Sequence, residues 1–289
     1  MGTSEGGFRT KMNSGGNENL GGKRYRLVAI DLDDTLLTDD LTITEGTRRA
    51  LAAAAAQGGV VTIATGRMFA SAARIAGGLG LNVPIITYQG ALVKNLLDGR
   101  VLYERTVPTE PALAIVEYAA ERGLHLQGYV DDRMYAVADN DKSRAYAALS
   151  GVTYETADDF TPLVRRGALK LLIIDEPEKL DRMLDELRGR TGGAVHITKS
   201  KPHFLEILHP EATKGHALMH LARHFGISRE ETIGIGDSWN DRELIEMAGL
   251  GVAMGNAVEA LKAIADYVAA GNNEEGVREV IEKFVLAQS

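Results

Sequence analysis

The short apolar run Leu27-Val28-Ala29-Ile30, entered from Arg26 and stopped by Asp31, restricts this chain more than any other feature. A strand that is apolar at every position, rather than every second one, has both faces buried, the condition of a strand inside a parallel sheet covered by helices. A helix is expected next, from about Thr44 to Gln57, carrying the alanine run Ala52 to Ala56 and ended by Gly58-Gly59. The strand Val60 to Ala64 follows and runs into Thr65-Gly66-Arg67. This is a βαβ unit with a right-handed crossover, so its two strands end on the same edge of the sheet and Asp31 and Thr65 become neighbours. A second helix near Met68 to Gly77 and the strand Pro84 to Tyr88 extend the rhythm.

From about Gln89 the texture changes. Strand-like pieces at Val101 to Tyr103, Gly128 to Val130 and Leu169 to Ile174 alternate with helical stretches Glu110 to Arg122 and Pro177 to Arg188, which suits a separate α+β layer. After Phe204 to Leu208 the doubly wound pattern resumes with helix Lys214 to Phe225, strand Thr232 to Gly236, helix Asp241 to Ala248, strand Gly251 to Met254 and a last helix from about Glu275. The expected fold class is α/β: a doubly wound, Rossmann-like parallel sheet with an inserted α+β cap. The boundaries read as a glycine-rich disordered tail over 1–23, a discontinuous core of 24–88 and 204–289, and a cap of 89–203 that selects substrate. A length of 289 residues accommodates two such domains.

Composition narrows the function. A net charge of -8 argues against a broad nucleic-acid surface, and no apolar run approaches the length of a membrane span. With no cysteine in the chain, disulfides, thiolate catalysis and cysteine-ligated zinc are excluded. These features fit a cytoplasmic enzyme.

In open α/β sheets, ligands bind outside the carboxyl ends of the strands. Residues expected there are Asp31, Asp33, Thr65, Gly66, Asp237, Asn240 and Asp241. Four are carboxylates, and like charges crowded in one crevice oppose one another unless a cation joins them. An oxygen-only ligand set points to Mg2+. Asp-rich strand ends also form turns and helix caps, which Asp241 could do at the start of its helix. Asp31, on a rigid strand end, is the better placed nucleophile, and Asp33, two residues on, suits proton transfer to the leaving alcohol. Thr65 offers a hydroxyl, Gly66 and Arg67 offer amides at an expected helix N-terminus, and Lys214 can pair with the nucleophile and a phosphoryl oxygen. A lysine at that position is otherwise an ordinary solvated side chain.

Four motifs in order, Asp31-Leu32-Asp33-Asp34-Thr35-Leu36-Leu37, Ala64-Thr65-Gly66-Arg67, Lys214-Gly215-x-Ala217-Leu218 and Gly236-Asp237-Ser238-Trp239-Asn240-Asp241, resemble the haloacid dehalogenase superfamily, specifically its Cof-type subfamily (subclass IIB) with a C2-type cap. The similarity extends through Met254-Gly255-Asn256-Ala257 and Ala265-Asp266-Tyr267-Val268. The resemblance implies an aspartyl-phosphate on Asp31, acid/base work by Asp33, phosphate contacts from Thr65, Lys214 and Asn240, and a magnesium held by Asp31, the Asp33 backbone carbonyl and Asp237, with Asp241 supporting the lysine or the metal. Asp34 departs from the glycine that many relatives carry. The second aspartate, Asp33, argues for phosphate rather than carbon–halogen chemistry.

The expected function is magnesium-dependent hydrolysis of small phosphate monoesters, sugar phosphates or phosphorylated cofactors. A phosphomutase using the same phospho-aspartate is the neighbouring alternative, and a non-enzymatic phospho-receiver protein the alternative of another class; the long insertion disfavours the receiver. His216, His220 and His224 recur at four-residue spacing but read as the shoulder of an apolar stripe rather than as a metal site. Trp239 reads as packing, and Tyr129, Asp131, Asp132, Arg133, Ser200, Lys201 and His203 as solvated cap residues.

Overall fold

The computed structural model describes residues 25–81 and 83–286; the tail expected over 1–23 lies outside them. Five parallel strands form the main sheet, in the order Tyr267–Val268, Leu250–Ala253, Thr232–Gly236, Leu27–Ile30, Val60–Ile63. The central run is buried on both faces, as its unbroken apolar character requires. Val28 and Ile30 face a cluster completed by Ala50, Leu51, Val277 and Ile281 from the helices Glu45–Ala56 and Gly276–Ile281. Leu27 and Ala29 face the opposite cluster, with Ala217, Leu218, Leu221 and Leu244 from the helices Lys214–His224 and Arg242–Met247. Thr44 caps the first helix by accepting from the Thr47 amide at 3.1 Å.

Ile85–Thr87 does not extend that sheet as a regular strand. It begins an antiparallel three-stranded sheet with Leu92–Lys94 and Val101–Glu104, tied to the core through one bridge between Ala64 and Ile86.

The third sheet, of six strands, runs in the order His196–Lys201, Phe204–Leu208, Lys170–Ile174, His125–Val130, Arg133–Ala136, Tyr154–Thr156. The strand at which the core was expected to resume, Phe204–Leu208, therefore belongs to the cap sheet, paired antiparallel to both neighbours. Its apolar run suits either sheet, because this one too is covered on both sides. Leu126, Leu171, Ile173, Leu205 and Ile207 face the helices Thr109–Glu121 and Pro177–Thr191. The alternate positions Tyr129, Leu172, Ile174 and Leu208 pack against Met68, Tyr88, Leu92 and Ala212 of the core side. No helix among the described residues is long and apolar enough to cross a membrane.

Candidate active site

Register brings the expected residues to one edge. Ile30 lies beside Ile63 on one side and Ile235 on the other, so Asp31, Thr65 and Asp237 leave the sheet together. After Asp31 the chain turns tightly over Leu32–Leu36, with Asp34 in the left-handed region at φ 61° and exposed to solvent. That turn points Thr35 back, where its hydroxyl donates to Asp237 Oδ1 at 3.0 Å.

Lys214 is 0% exposed, contrary to the solvated role common for a lysine. Its ammonium donates to Asp31 Oδ1 and, at 2.6 Å, to Asp241 Oδ1. Asp241 does not cap the helix Arg242–Met247 that it precedes, the role weighed for it; its other oxygen instead closes the preceding turn by accepting from the amides of Asp237 and Ser238 at 3.0 and 3.1 Å. Asp31, Asp237 and Asp241 bring carboxylate oxygens within 4.8 Å of one another. Burial, reinforced by Asp241 and Asp237, pushes the Asp31 carboxyl well above its ordinary range even with Lys214 against it. Burial and Asp241 likewise push Asp237 up to about 7. Burial works against the Lys214 ammonium, yet Asp241 and Asp31 outweigh it and raise its pKa above the ordinary lysine value. Three carboxylates against one ammonium leave a buried excess of negative charge, and the all-oxygen donor set matches a hard divalent cation.

Asp33 is not part of that cluster. Its carboxylate is gripped by the Arg67 guanidinium, Nε to Oδ2 at 2.9 Å and a terminal nitrogen to Oδ1 at 2.5 Å. This fork was missed in the sequence, where only the Arg67 amide was considered. The helix expected near Met68 to Gly77 runs over Phe69–Gly78 with Met68 as its N-cap, so Gly66 and Arg67 lie in the loop just before it, and the Arg67 amide donates to Thr65 Oγ1 at 3.1 Å. Thr65 is buried, and Asn240 donates from Nδ2 to Gln89 Oε1 at 2.9 Å.

A cavity of about 100 Å³ opens on these residues, and the cap contributes Tyr146, Leu149, Ser200, Lys201, Phe204 and Glu206 to its walls. Of the cap residues first read as solvated, Ser200 and Lys201 reach the cavity, whereas Tyr129 is fully buried in the interface and Asp132 accepts from the Tyr88 hydroxyl at 2.6 Å. Trp239, expected to pack, is 44% exposed. His216 bonds Thr213 and His220 lies against Tyr103; neither helps form the acidic cluster. Gln89, Lys170 and Glu206 line or support the site and were passed over. Single charges inside the apolar runs Leu169 to Ile174 and Phe204 to Leu208 were the available signal, because such side chains are buried only when paired.

A parallel α/β sheet with a lysine-bridged acidic centre on its carboxyl edge and a second sheet closing over it defines a capped hydrolase. The chain belongs to the haloacid dehalogenase-like hydrolases, whose family profile matches residues 28–281, and it is a phosphatase of that family. It is similar to TM0651 from Thermotoga maritima, with 37% identity, a TM-score of 0.77 and coverage of 90% of this chain and 97% of that one. The 5-amino-6-(5-phospho-D-ribitylamino)uracil phosphatase YitU of Bacillus subtilis is 30% identical over 265 residues, 89% of this chain and 97% of its own. The subclass IIB sugar phosphatase BT4131 superposes with a TM-score of 0.81 at 26% identity, over 90% and 98% of the two chains.

Proposed function

We propose that the protein hydrolyses small phosphate monoesters, with Mg2+ in the acidic cluster and Asp31 as the nucleophile. The sugar-phosphate and ribitylaminouracil-phosphate specificities in the names of BT4131 and YitU support a polyhydroxylated leaving group. The observation that carries the reading is the buried Lys214 between Asp31 and Asp241, which holds an attacking carboxylate rigid and leaves an ammonium facing the incoming phosphoryl oxygen.

Asp31, Asp237 and the Asp33 backbone carbonyl would hold the ion, with Asp241 supporting it. When bound, the ion supplies positive charge that offsets both the clustered carboxylates and the phosphate dianion. Asp31 attacks phosphorus, forming the acyl–phosphate bond as the ester P–O bond breaks, and Asp33 delivers a proton to the departing oxygen. Water then attacks the phospho-aspartate, Asp33 takes its proton, and phosphate leaves with Asp31 restored. Thr65, the Gly66 amide, Lys214 and Asn240 hold the phosphoryl oxygens. Each Asp33 oxygen accepts one bond from Arg67, which leaves each a further lone pair for the proton that Asp33 takes up and delivers.

Purified protein should release phosphate from p-nitrophenyl phosphate when Mg2+ is added, and Asp31→Asn should abolish turnover. An Asp31→Asn variant with wild-type kcat would sink the mechanism. Net phosphate release, rather than its return to a second hydroxyl of the same sugar, separates hydrolysis from mutase action.

A further inference from the structure

We propose that Glu206 and Lys170, the buried ion pair on the core-facing side of the cap sheet, are positioning residues that orient Asn240 and the Gly66 carbonyl. The seating of the cap thereby sets the geometry of the phosphate cradle. The inference rests on the reading of Asn240 as a phosphate contact.

Lys170 Nζ gives one bond to Glu206 Oε1 at 2.9 Å and another to the Gly66 carbonyl at 3.0 Å. Ser200 Oγ donates to the same Oε1 at 3.1 Å, and Gln89 Nε2 donates to Oε2. An ionised carboxylate only accepts. Gln89 must therefore turn its NH2 toward Glu206, which leaves its Oε1 on the far side, where Asn240 Nδ2 donates to it at 2.9 Å. Asn240 in turn cannot flip. Its second amide hydrogen and its Oδ1 are held in fixed directions, and Oδ1 is buried without a hydrogen-bond partner among the described residues, a state that calls for a ligand.

Glu206 thus dictates, through one intermediate amide, which face Asn240 shows to the phosphate. The relay is sheltered from water: Lys170, Glu206, Gln89 and Asn240 are all buried, so each bond is strong and each orientation costly to reverse. Its middle member is pinned by backbone. Gln89 sits at φ 60° in the turn Tyr88–Gly90, and a side chain added at Gly90 would meet the Thr213 carbonyl at 2.2 Å, directly beside Lys214. Gln89 also lies against Gly66, where an added Cβ would fall 2.3 Å from its Nε2.

Four variants of the full chain test this, three single and one double, assayed with p-nitrophenyl phosphate and with inorganic phosphate as competitive inhibitor. Glu206→Gln gives Gln89 a partner that no longer forces its orientation. Gln89→Met cuts the relay and leaves the Lys170–Glu206 pair intact. Each should lower kcat/KM by about 10- to 100-fold, the usual effect of losing a supporting hydrogen bond, and raise the inhibition constant of phosphate by a similar factor. The double variant should be no worse than the weaker single, because both break one chain. A pair that only glues cap to core would lower the melting temperature and leave the phosphate inhibition constant where it was. Wild-type kcat/KM and phosphate inhibition in Gln89→Met overturn the proposal, as do additive losses; should Glu206→Gln fail to fold, Gln89→Met alone decides. Asn240→Ala separates the two levels. If it binds phosphate normally, the phosphate-contact reading fails and takes the relay with it. If it loses phosphate while Gln89→Met does not, the relay alone is wrong.

Discussion

At the scale of single residues, the centre stores a conflict that only a cation relieves. Asp237 illustrates it: its half-buried carboxylate lies beside Asp31 and Asp241, with the Thr35 hydroxyl donating to it at 3.0 Å. Replacing it by an amide of the same shape removes a repelling charge. Metal-depleted Asp237→Asn should therefore melt a few degrees above metal-depleted wild type, since relieving about 1 kcal/mol shifts a domain of this size by roughly 2–4 °C. Mg2+, which should raise the wild-type melting temperature by binding the folded state, should no longer do so in the variant. A differential scanning measurement with and without chelator reads both effects. If Mg2+ stabilises the two proteins equally, Asp237 is not a ligand.

At the scale of elements, two contacts carry consequences. Gly215 opens the helix Lys214–His224 at its crossing with the helix Arg242–Met247, and a Cβ there would stand 2.2 Å from the Glu243 carbonyl oxygen. Gly215→Ala should cost about 1–3 kcal/mol by overpacking and lower kcat with it, because the helix must shift at the turn that carries Lys214; thermal melts paired with steady-state rates check this. In the cap, His125 lies buried in the strand His125–Val130 between the side-chain amides of Gln127 and Asn140. Burial, aided by Lys142, lowers it from its ordinary 6.5 to about 4. The unfolded chain then binds the proton first, so this histidine's stabilisation is intact above pH 6.5 and is lost as pH falls from 6.5 toward 4. His125→Gln should flatten that part of the stability profile relative to wild type, and an unchanged slope would refute the assignment. The core elements were legible beforehand because strands buried on both faces, such as Thr232–Gly236, announce themselves as apolar runs with sharp ends. The cap was less so. Tyr154–Thr156 and His196–Lys201 mix polar and apolar residues at the two edges of their sheet, and the sheet that owns Phe204–Leu208 is decided by long-range pairing that no local pattern encodes. The motif residues could be placed because each ends a parallel strand or opens a helix; the Arg67–Asp33 fork and the Lys170–Glu206 pair depend on which side chains meet across elements.

At the scale of the whole molecule, the cap packs against the core beside the aspartates and leaves the cavity above them partly open to solvent. Tyr88 and Tyr129 meet edge to face with centroids 5.8 Å apart, and Lys201 of the cap approaches Asp34 of the core at 3.5 Å. That cavity, about 100 Å³, has the exposed Leu41 and Asp34 of the core and Leu149 of the cap on its rim. We predict that esters as bulky as a hexose phosphate enter and leave with the cap lifted, which would also withdraw Glu206 and Lys170 from Gln89 and Gly66. Because the chain has no cysteine, a covalent lock can be introduced cleanly. Lys201→Cys together with Asp34→Cys, joined by a short bismaleimide, should hold the cap down. The cross-linked protein should lose turnover of a hexose phosphate almost completely, while either single variant treated with the same reagent keeps most of its activity. Inorganic phosphate, far smaller than a hexose phosphate, separates a blocked entrance from a damaged centre: once equilibrated, it should still protect the locked protein against thermal unfolding in the presence of Mg2+. Undiminished hexose phosphate turnover after complete cross-linking would show that substrate reaches Asp31 without cap movement.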